Sequence, residues 1–550
     1  MKKRNTLLKT ITKNKRNTFL FFVVLSIICS LPLILTSKVS FGHDLNLHLA
    51  RINAIKDGFV SGNISNYIYT EYINGYGYGA PLFYPDVFLY IPASITYLGI
   101  NIFTSYKIFL WLISFCSIIT MYLTVKRISG NKEAAIISSF IYCFAPYRLT
   151  DLYIRSALGE CLALVFLPLV IYGIYEIIYG EYKKFHILVL GMTGVILSHV
   201  LSILIITFLL IILCLVNIKR FIEEKKRILY LFIAASVTLL LTAFFLWPMV
   251  EQLFNISLHN FNQLYNNSIS FIYLFLDFPT IKPFLPVCFG IGFTLMLFIY
   301  FSNIKHYKKE HFMNFCLITS TIILICTTNL FPWEAFPYIL KYIEPPFRLN
   351  LIPTALLSIG IGLLFMRMPK SKHNMFKLSL LLFLLPFYFI TVHSFTISSI
   401  VYVPKVEEHS IQNQIYYGEY LPSNMLNNLN LIENRGTVIT STFPLETELQ
   451  KKRLNLDISF SDNKAPHNKL EMPLTFYKGY QATINGKAIP VYETEHGLVG
   501  VEIKDYQAGQ IRVEYQGTFI QRIAKYISIF SWIAFCLTLL FSKKILPKIR

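Results

Sequence analysis

Charge is scarce in this 550-residue chain: Asp, Glu, Lys and Arg together make up 15% of it, against the roughly 25% usual in soluble domains. Acidic residues are scarcer than basic ones, 30 against 50. Cysteine is sparse and poorly placed for bridges. All nine, at Cys29, Cys116, Cys143, Cys161, Cys214, Cys288, Cys316, Cys326 and Cys536, lie in or beside apolar runs. That pattern offers neither a disulfide framework nor zinc-ligand spacing. A P-loop, HExxH, GxSxG or CxxC pattern is absent, as are a 20–50-residue repeat and a low-complexity tract. The first apolar run is too long for a signal peptide and no small-residue cleavage site follows it, so it is expected to stay as an anchor. Apolar side chains are abundant, 54% of the residues at mean hydropathy +0.52. This excludes disorder. A single soluble globule is excluded as well, because runs long enough to cross a bilayer recur.

Hydropathy predicts about twelve spans, near 18–37, 105–125, 133–147, 158–179, 185–198, 200–218, 228–247, 283–302, 312–330, 348–367, 376–396 and 524–542. With the N-terminus inside, 28 of the 50 Lys and Arg and five of the 30 Asp and Glu fall in inside segments. The inside then carries +23 and everything else −3, so the net charge of +20 is a positive-inside topology signal. Nucleic acid is therefore not an expected partner. The stretch 86–100, broken by Pro85 and Pro92, reads as interfacial or re-entrant.

Two outside segments are large, 38–104 and about 398–520. The second carries short β-rich runs, Val438–Phe443, Arg453–Phe460, Tyr480–Ile484, Ala488–Thr494, Leu498–Ile503 and Gln510–Tyr515, separated by turn residues. Asn485-Gly486 between two of them signals a type I′ hairpin. The expectation is a polytopic α-helical membrane protein with a β-sandwich-like domain before the last span. Its parts would be a transmembrane domain over 1–397 that includes the 38–104 loop, a β-rich domain over 398–520, and a final helix with a basic cytoplasmic tail over 521–550. The β-domain serves either as a stabilising spacer or as an acceptor-binding module using Tyr477 and Tyr480.

After the first span comes Phe41-Gly42-His43-Asp44-Leu45-Asn46-Leu47-His48-Leu49-Ala50-Arg51-Ile52. As a helix, Leu45, Leu49, Ile52, Ile55 and Phe59 form one apolar stripe, with Asn46, Asn53, Lys56 and Asp57 facing away, so the helix should lie flat on the membrane. Asp44, His48 and Arg51 are spaced i, i+4, i+7 and share one edge. A carboxylate, an imidazole and a guanidinium then meet at the lipid–water boundary. By spacing alone an Asp N-cap with a polar i+4 pair is the simpler explanation. The turn-rich, aromatic Asn74–Asp86 stretch that follows, with Tyr84 and a second carboxylate at Asp86, is the kind of loop on which sites are built.

A second cluster is Arg148, Asp151 and Arg155, spaced i, i+3, i+7, leading to Glu160 at the start of an apolar run. Ionisable groups at membrane depth cost roughly 2.5–3.5 kcal/mol each on insertion scales and are usually paired or functional. Here Asp151 can neutralise one arginine and leave the other for an anion. His199 either reaches this site or is a hydrogen-bonded structural histidine. Arg348, in Glu344-Pro345-Pro346-Phe347-Arg348, is either an interfacial snorkeler or a phosphate ligand.

One reaction suits such charges at headgroup height: transfer of a sugar from a polyprenyl-phosphate carrier to an acceptor hydroxyl. The leaving phosphate is already acidic, so the carboxyl pair of a glycoside hydrolase is unnecessary. One base deprotonates the acceptor, and arginines stabilise charge on the phosphate.

At this point the sequence resembles the GT-C superfamily of integral membrane glycosyltransferases, in particular the bacterial membrane proteins labelled "6-pyruvoyl-tetrahydropterin synthase-related". The likeness rests on Gly42-His43-Asp44 through His48 and Arg51, and on Gly77-Tyr78 with Pro81-Leu82-Phe83-Tyr84-Pro85-Asp86. It continues through Pro146-Tyr147-Arg148, Asp151-Leu152-Tyr153, Arg155, Gly159-Glu160, Leu197-Ser198-His199 and Tyr417-Gly418-Glu419-Tyr420-Leu421-Pro422. It covers nearly the whole chain, most densely 40–200. The resemblance implies inverting transfer on the outer face of the cell membrane, with Asp44 in the position of the catalytic acidic residue. His43, His48, Arg51, Tyr84, Asp86, Arg148, Asp151, Arg155, Glu160, His199 and Arg348 are the expected substrate-binding residues. The expected partners are a polyprenyl-phosphate-linked sugar donor, an envelope glycan acceptor and membrane lipid. No cofactor is expected, and without an Asp-x-Asp pair in the first loop a divalent metal has no support. The competing expectations are a transporter or flippase of a lipid-linked envelope precursor, and a non-catalytic envelope scaffold.

Overall fold

The computed structural model describes residues 11–35, 39–40, 44–62, 67–258, 270–271, 290–336, 343, 345–385, 387, 400–401, 418–428 and 439–545. Among them, five helices are long and apolar enough to cross a membrane: Lys15–Ile34, Ile102–Ser129, Leu158–Ile178, Pro346–Arg367 and Phe519–Phe541. The consecutive helices Lys226–Leu241 and Ala243–Asn255 make a sixth if they form one broken span. The chain is a helical membrane protein with a β-sheet region near its C-terminus. The runs expected near 133–147 and 185–198 fold as helices Lys132–Cys143 and His186–Ile196, of 12 and 11 residues. At about 1.5 Å per residue neither crosses a hydrocarbon core by itself. The same limit applies to the apolar helix Val87–Tyr97. The expected runs near 283–302 and 376–396 lie partly outside the described residues.

Two compact units divide the chain. The first holds Met1–His48, Leu98–Thr238 and Asn262–Lys405; the second holds Leu49–Tyr97, Leu239–Phe261 and Val406–Arg550. The chain-order division expected from sequence kept 38–104 with the transmembrane part. The packing instead groups 49–97 with the β-domain and the last helix.

In the first unit, helix Ile102–Ser129 ends on Gly130 in the left-handed conformation at φ 68°. Asn131 then caps the next helix by accepting from the amides of Glu133 and Ala134 at 2.8 and 3.0 Å, the arrangement that satisfies orphan helix-end groups. Helices Leu158–Ile178 and His186–Ile196 touch backbone to backbone: a Cβ at Gly191 would meet the Val170 amide nitrogen at 2.7 Å. Small residues permit such contact between apolar helices. Strand β1 (Val39–Ser40) pairs antiparallel with β2 (Ile400–Val401).

In the second unit, strands β3 (Thr440–Ser441), β4 (Glu446–Lys452), β5 (Asn455–Ser461), β6 (His467–Thr475), β7 (Tyr480–Ile484), β8 (Lys487–Ile489), β9 (Val491–Glu493), β10 (Leu498–Lys504) and β11 (Gly509–Tyr515) build two sheets. Their orders are β3-β6-β10-β9 and β4-β5-β11-β7-β8. Alternate residues of both sheets, such as Leu456, Ile458 and Phe460 against Leu470, Val499 and Val501, fill one core, which makes a sandwich. Asn485 and Gly486, at φ 49° and 79°, turn β7 into β8, as the Asn-Gly signal requires. Ile68, Leu82, Phe83 and Ile256 join the same core. The aromatic loop is thus part of the β-domain's packing. Lys451 of β4 donates to the Gly75 carbonyl at 2.6 Å, and the Thr475 amide to that of Tyr76 at 2.8 Å.

Candidate functional site

The expected helix forms as Leu45–Val60, but its polar side is only partly open. His48, Arg51 and Asn53 are at most 2% exposed, whereas Asn46, Lys56 and Asp57 are half-buried, so the flat-lying surface helix is corrected to one that is largely covered. Asp44, half-buried, immediately precedes it, and its carbonyl accepts from the His48 amide at 3.1 Å. His43 lies outside the described residues.

The richest group of charges belongs to the first unit. After the short helix Pro146–Thr150 the chain widens into a π-helical turn over Asp151–Arg155 and leaves it through Ser156 at φ 56°. Single π-turns of this kind are frequent at functional sites. This turn folds Arg155 back between two carboxylates, reaching Asp151 at 2.6 Å and Glu160 at 2.8 Å. The Tyr147 hydroxyl donates to Glu160, and the Arg155 guanidinium stacks 5.0 Å from the Phe347 ring centroid. Arg348 approaches Glu160 at 3.8 Å with its side chain 21% exposed. His199 pairs with the Ser202 hydroxyl at 2.9 Å. Asp44 joins the group through its backbone, donating its amide to the Arg155 carbonyl at 3.3 Å. Buried polar atoms are normally paired. Here, among the described residues, Asp151 Oδ2, Arg348 Nε and both ends of the Asn350 amide lack a hydrogen-bond partner.

Arg148 stands apart from this cluster. Fully buried, it donates to the Cys143 carbonyl and the Ser114 hydroxyl, each at 2.9 Å, and lies 3.7 Å from the Cys29 sulfur. Its partners come from three helices, so it clamps helices rather than facing a ligand.

Arg51, Tyr84 and Asp86 form a separate group in the second unit. Arg51 meets Asp86 at 2.8 Å, donates to the Pro85 carbonyl at 2.7 Å and lies 3.8 Å over the Tyr84 ring. Tyr69 donates its hydroxyl to the other Asp86 oxygen. Burial pushes the Asp86 carboxyl up, against the pull of Arg51 and the Tyr69 hydrogen bond. Burial alone would lower Arg51, but the charges of Asp86, Tyr69 and Tyr84 and the Asp86 hydrogen bond together outweigh it and raise the guanidinium above its ordinary value. Among the described residues no three His, Cys, Asp or Glu side chains gather as a metal-holding group.

A family model described as "Family of unknown function (DUF6541)" matches residues 17–328, more than half of the chain. The chain belongs to the DUF6541 family. It is also similar to an uncharacterized protein of Lactococcus lactis subsp. cremoris (strain MG1363), 24% identical over 353 residues. That match covers 58% of this chain and 55% of the relative. In this DUF6541 protein the matched segment contains Asp44, the π-turn, Glu160 and the Arg51–Asp86 pair, whereas Arg348 and the β-domain lie beyond it.

Sequence reasoning singled out Asp151, Arg155 and Glu160 from charge at membrane depth and Arg348 as a snorkeler or phosphate ligand, and the fold of this chain brings these four together. It passed over Tyr147, Tyr69 and Asn350. Tyr147 was visible inside Pro-Tyr-Arg, one residue ahead of the arginine that drew notice. Tyr69 and Asn350 carry no local signal, because only the fold brings them to their places. As chemistry, the first-unit cluster offers Asp44, tied through its backbone amide to the carbonyl of an arginine that two acids hold. It also offers a second arginine, Arg348, whose one ion pair among the described residues, at 3.8 Å, leaves donors for an anion.

Proposed function

We propose that this protein is a glycosyltransferase of the GT-C kind. It moves a sugar with inversion from a polyprenyl-phosphate carrier to an envelope acceptor hydroxyl on the outer face of the membrane. The observation that carries the reading is the backbone link of Asp44 to Arg155, whose guanidinium bridges Asp151 and Glu160 next to Arg348. Asp44 takes the proton of the acceptor hydroxyl as its oxygen bonds the anomeric carbon. The bond from that carbon to the phosphate oxygen breaks, and the phosphate leaves with the electron pair. Arg348 meets the charge growing on the phosphate. Arg155, saturated by its two acids, is a positioning residue that fixes the Asp44 turn. The tight Arg51–Asp86 pair orders its own loop, and Arg148 supports the helices.

The experiment compares envelope glycans and lipid-linked sugars in cells carrying wild-type protein, Asp44→Asn or no protein. General-base catalysis is worth roughly 10²–10⁴-fold, so Asp44→Asn should lose at least about a hundredfold in transfer at unchanged protein level. Full activity of Asp44→Asn removes the base. Precursor movement across the membrane with unchanged glycans replaces transfer with transport.

A further inference from the structure

Two clefts of the second unit meet along the last membrane-spanning helix. The larger, about 860 Å³, is lined by Lys452, Arg453, Arg512, Arg522 and Lys525 against one carboxylate, Asp457. The smaller, about 320 Å³, has Phe244, Phe245, Ile529 and Trp532 among its mostly apolar lining, with Asp86, the partner of Arg51, also on its wall. Tyr67 and Lys525 line both. Arg522, Lys525, Ile529 and Trp532 follow one another at three, four and three residues, so one face of the helix changes from cationic to apolar over about 15 Å.

The cations are poorly compensated. Among the described residues no ion pair neutralises Lys452, Arg453, Arg522 or Lys525. Arg453 donates to the Ser61 carbonyl at 3.3 Å, and Arg512 lies 3.9 Å from Asp457 and 3.6 Å from Glu514. Snorkelling explains basic residues at the end of a spanning helix. It does not explain Lys452, Arg453 and Arg512, which sit on β-strands and their turn and converge on the same cleft. A soluble polyanion has no use for the apolar chamber, and a neutral lipid has none for five cations.

We propose that this composite groove binds a lipid phosphate, its phosphate among Arg522, Lys525 and the β-domain cations and its chain along Ile529 and Trp532. The inference goes beyond glycosyl transfer and does not depend on it, because its test reads binding alone. Full-length protein in phosphatidylcholine nanodiscs is titrated with polyprenyl phosphate, phosphatidylglycerol, polyprenol and soluble glycerol phosphate.

The expected result is that at least one lipid phosphate binds ten times or more tighter than polyprenol and glycerol phosphate, with affinity falling as salt rises. The better of the two identifies the source, a carrier lipid or the bulk membrane. Arg522→Glu should weaken that binding at least tenfold. Arg453→Glu, at an exposed hairpin turn with little to disturb in folding, should weaken it severalfold at an unchanged unfolding temperature. Equal binding of polyprenol, equal binding of glycerol phosphate, or wild-type affinity in a folded Arg453→Glu, Arg522→Glu double variant would each overturn the proposal.

Discussion

Four buried or half-buried arginines meet four different fates, decided by what faces each guanidinium. Arg155 is bracketed by Asp151 and Glu160, so removing it strands two buried carboxylates. Breaking a buried pair costs about 3–5 kcal/mol, and Arg155→Ala should lower the unfolding temperature sharply. Arg155→Met combined with Glu160→Gln should recover part of that loss without recovering function, which a double-mutant cycle on unfolding would read. Arg348 is 21% exposed and holds Glu160 only at 3.8 Å. Arg348→Ala should therefore leave stability within about 1 kcal/mol of wild type while transfer falls tenfold or more. Similar stability losses in the two alanine variants would remove the distinction between a positioning and a phosphate-binding arginine.

Lys451 adds a pH effect at the same scale. Burial lowers its amine to about 8, from an ordinary 10.5, with Glu71 pulling the other way. The unfolded chain then keeps the proton up to about 10.5 while the folded chain releases it near 8. Between those values the unfolded state binds more protons, so stability rises with pH. Unfolding followed from pH 7.5 to 10.5 should show this rise in the wild type and a shallower one in Lys451→Met. Equal slopes would mean that Lys451 stays charged against the Gly75 and Pro473 carbonyls.

At the scale of elements, what could be read from sequence was whatever has a short period. The Leu45–Val60 helix followed from its apolar spacing, and the β7–β8 hairpin from Asn485-Gly486. The burial of Arg51 on that helix had no local cause, since its partner, Asp86, lies 35 residues on. Strand β4, Glu-Thr-Glu-Leu-Gln-Lys-Lys, carried too much charge to read as a strand. It is the edge of the five-stranded sheet, where charge blocks pairing with another chain. Strand β6 was hidden by Pro473, which sits where its pairing with β10 slips between Leu498 and Gly500, the kind of irregularity that tolerates proline. The π-turn at Asp151–Arg155 was invisible because an i, i+3, i+7 spacing reads equally well as an ordinary helix. Gly77 tests the aromatic loop as an element. It has φ 93°, and a Cβ there would meet Leu454 Cδ2 at 2.9 Å and Ile68 Cγ2 at 3.0 Å. Gly77→Ala should destabilise the second unit by about 1–3 kcal/mol, seen in chemical unfolding; a neutral substitution would mean that the loop is not held against the turn between β4 and β5.

At the scale of the molecule, charge asymmetry and hydropathy made the membrane class legible, but chain order misled about where one folding unit ends. The β-domain reads as a module that could be cut away near residue 398. Its core, however, takes Ile68, Leu82, Phe83 and Ile256 from segments far upstream, and Gln252 exchanges hydrogen bonds with the Lys478 backbone at 2.7 and 3.0 Å. Fully exposing an aliphatic or aromatic side chain costs about 1.5–3 kcal/mol, so four orphaned anchors amount to several kcal/mol, comparable to the whole stability of a typical domain. A chain ending at residue 397 should therefore fail to accumulate, or be cleaved within 49–97 by a protease that leaves the full-length protein intact there. Co-expressing residues 398–550 as a separate chain should restore protection, because the missing surface returns without the covalent link. If the shortened chain instead resists proteolysis over 49–97 by itself, the aromatic loop draws its order from elsewhere, and the grouping of these three segments into one unit is wrong.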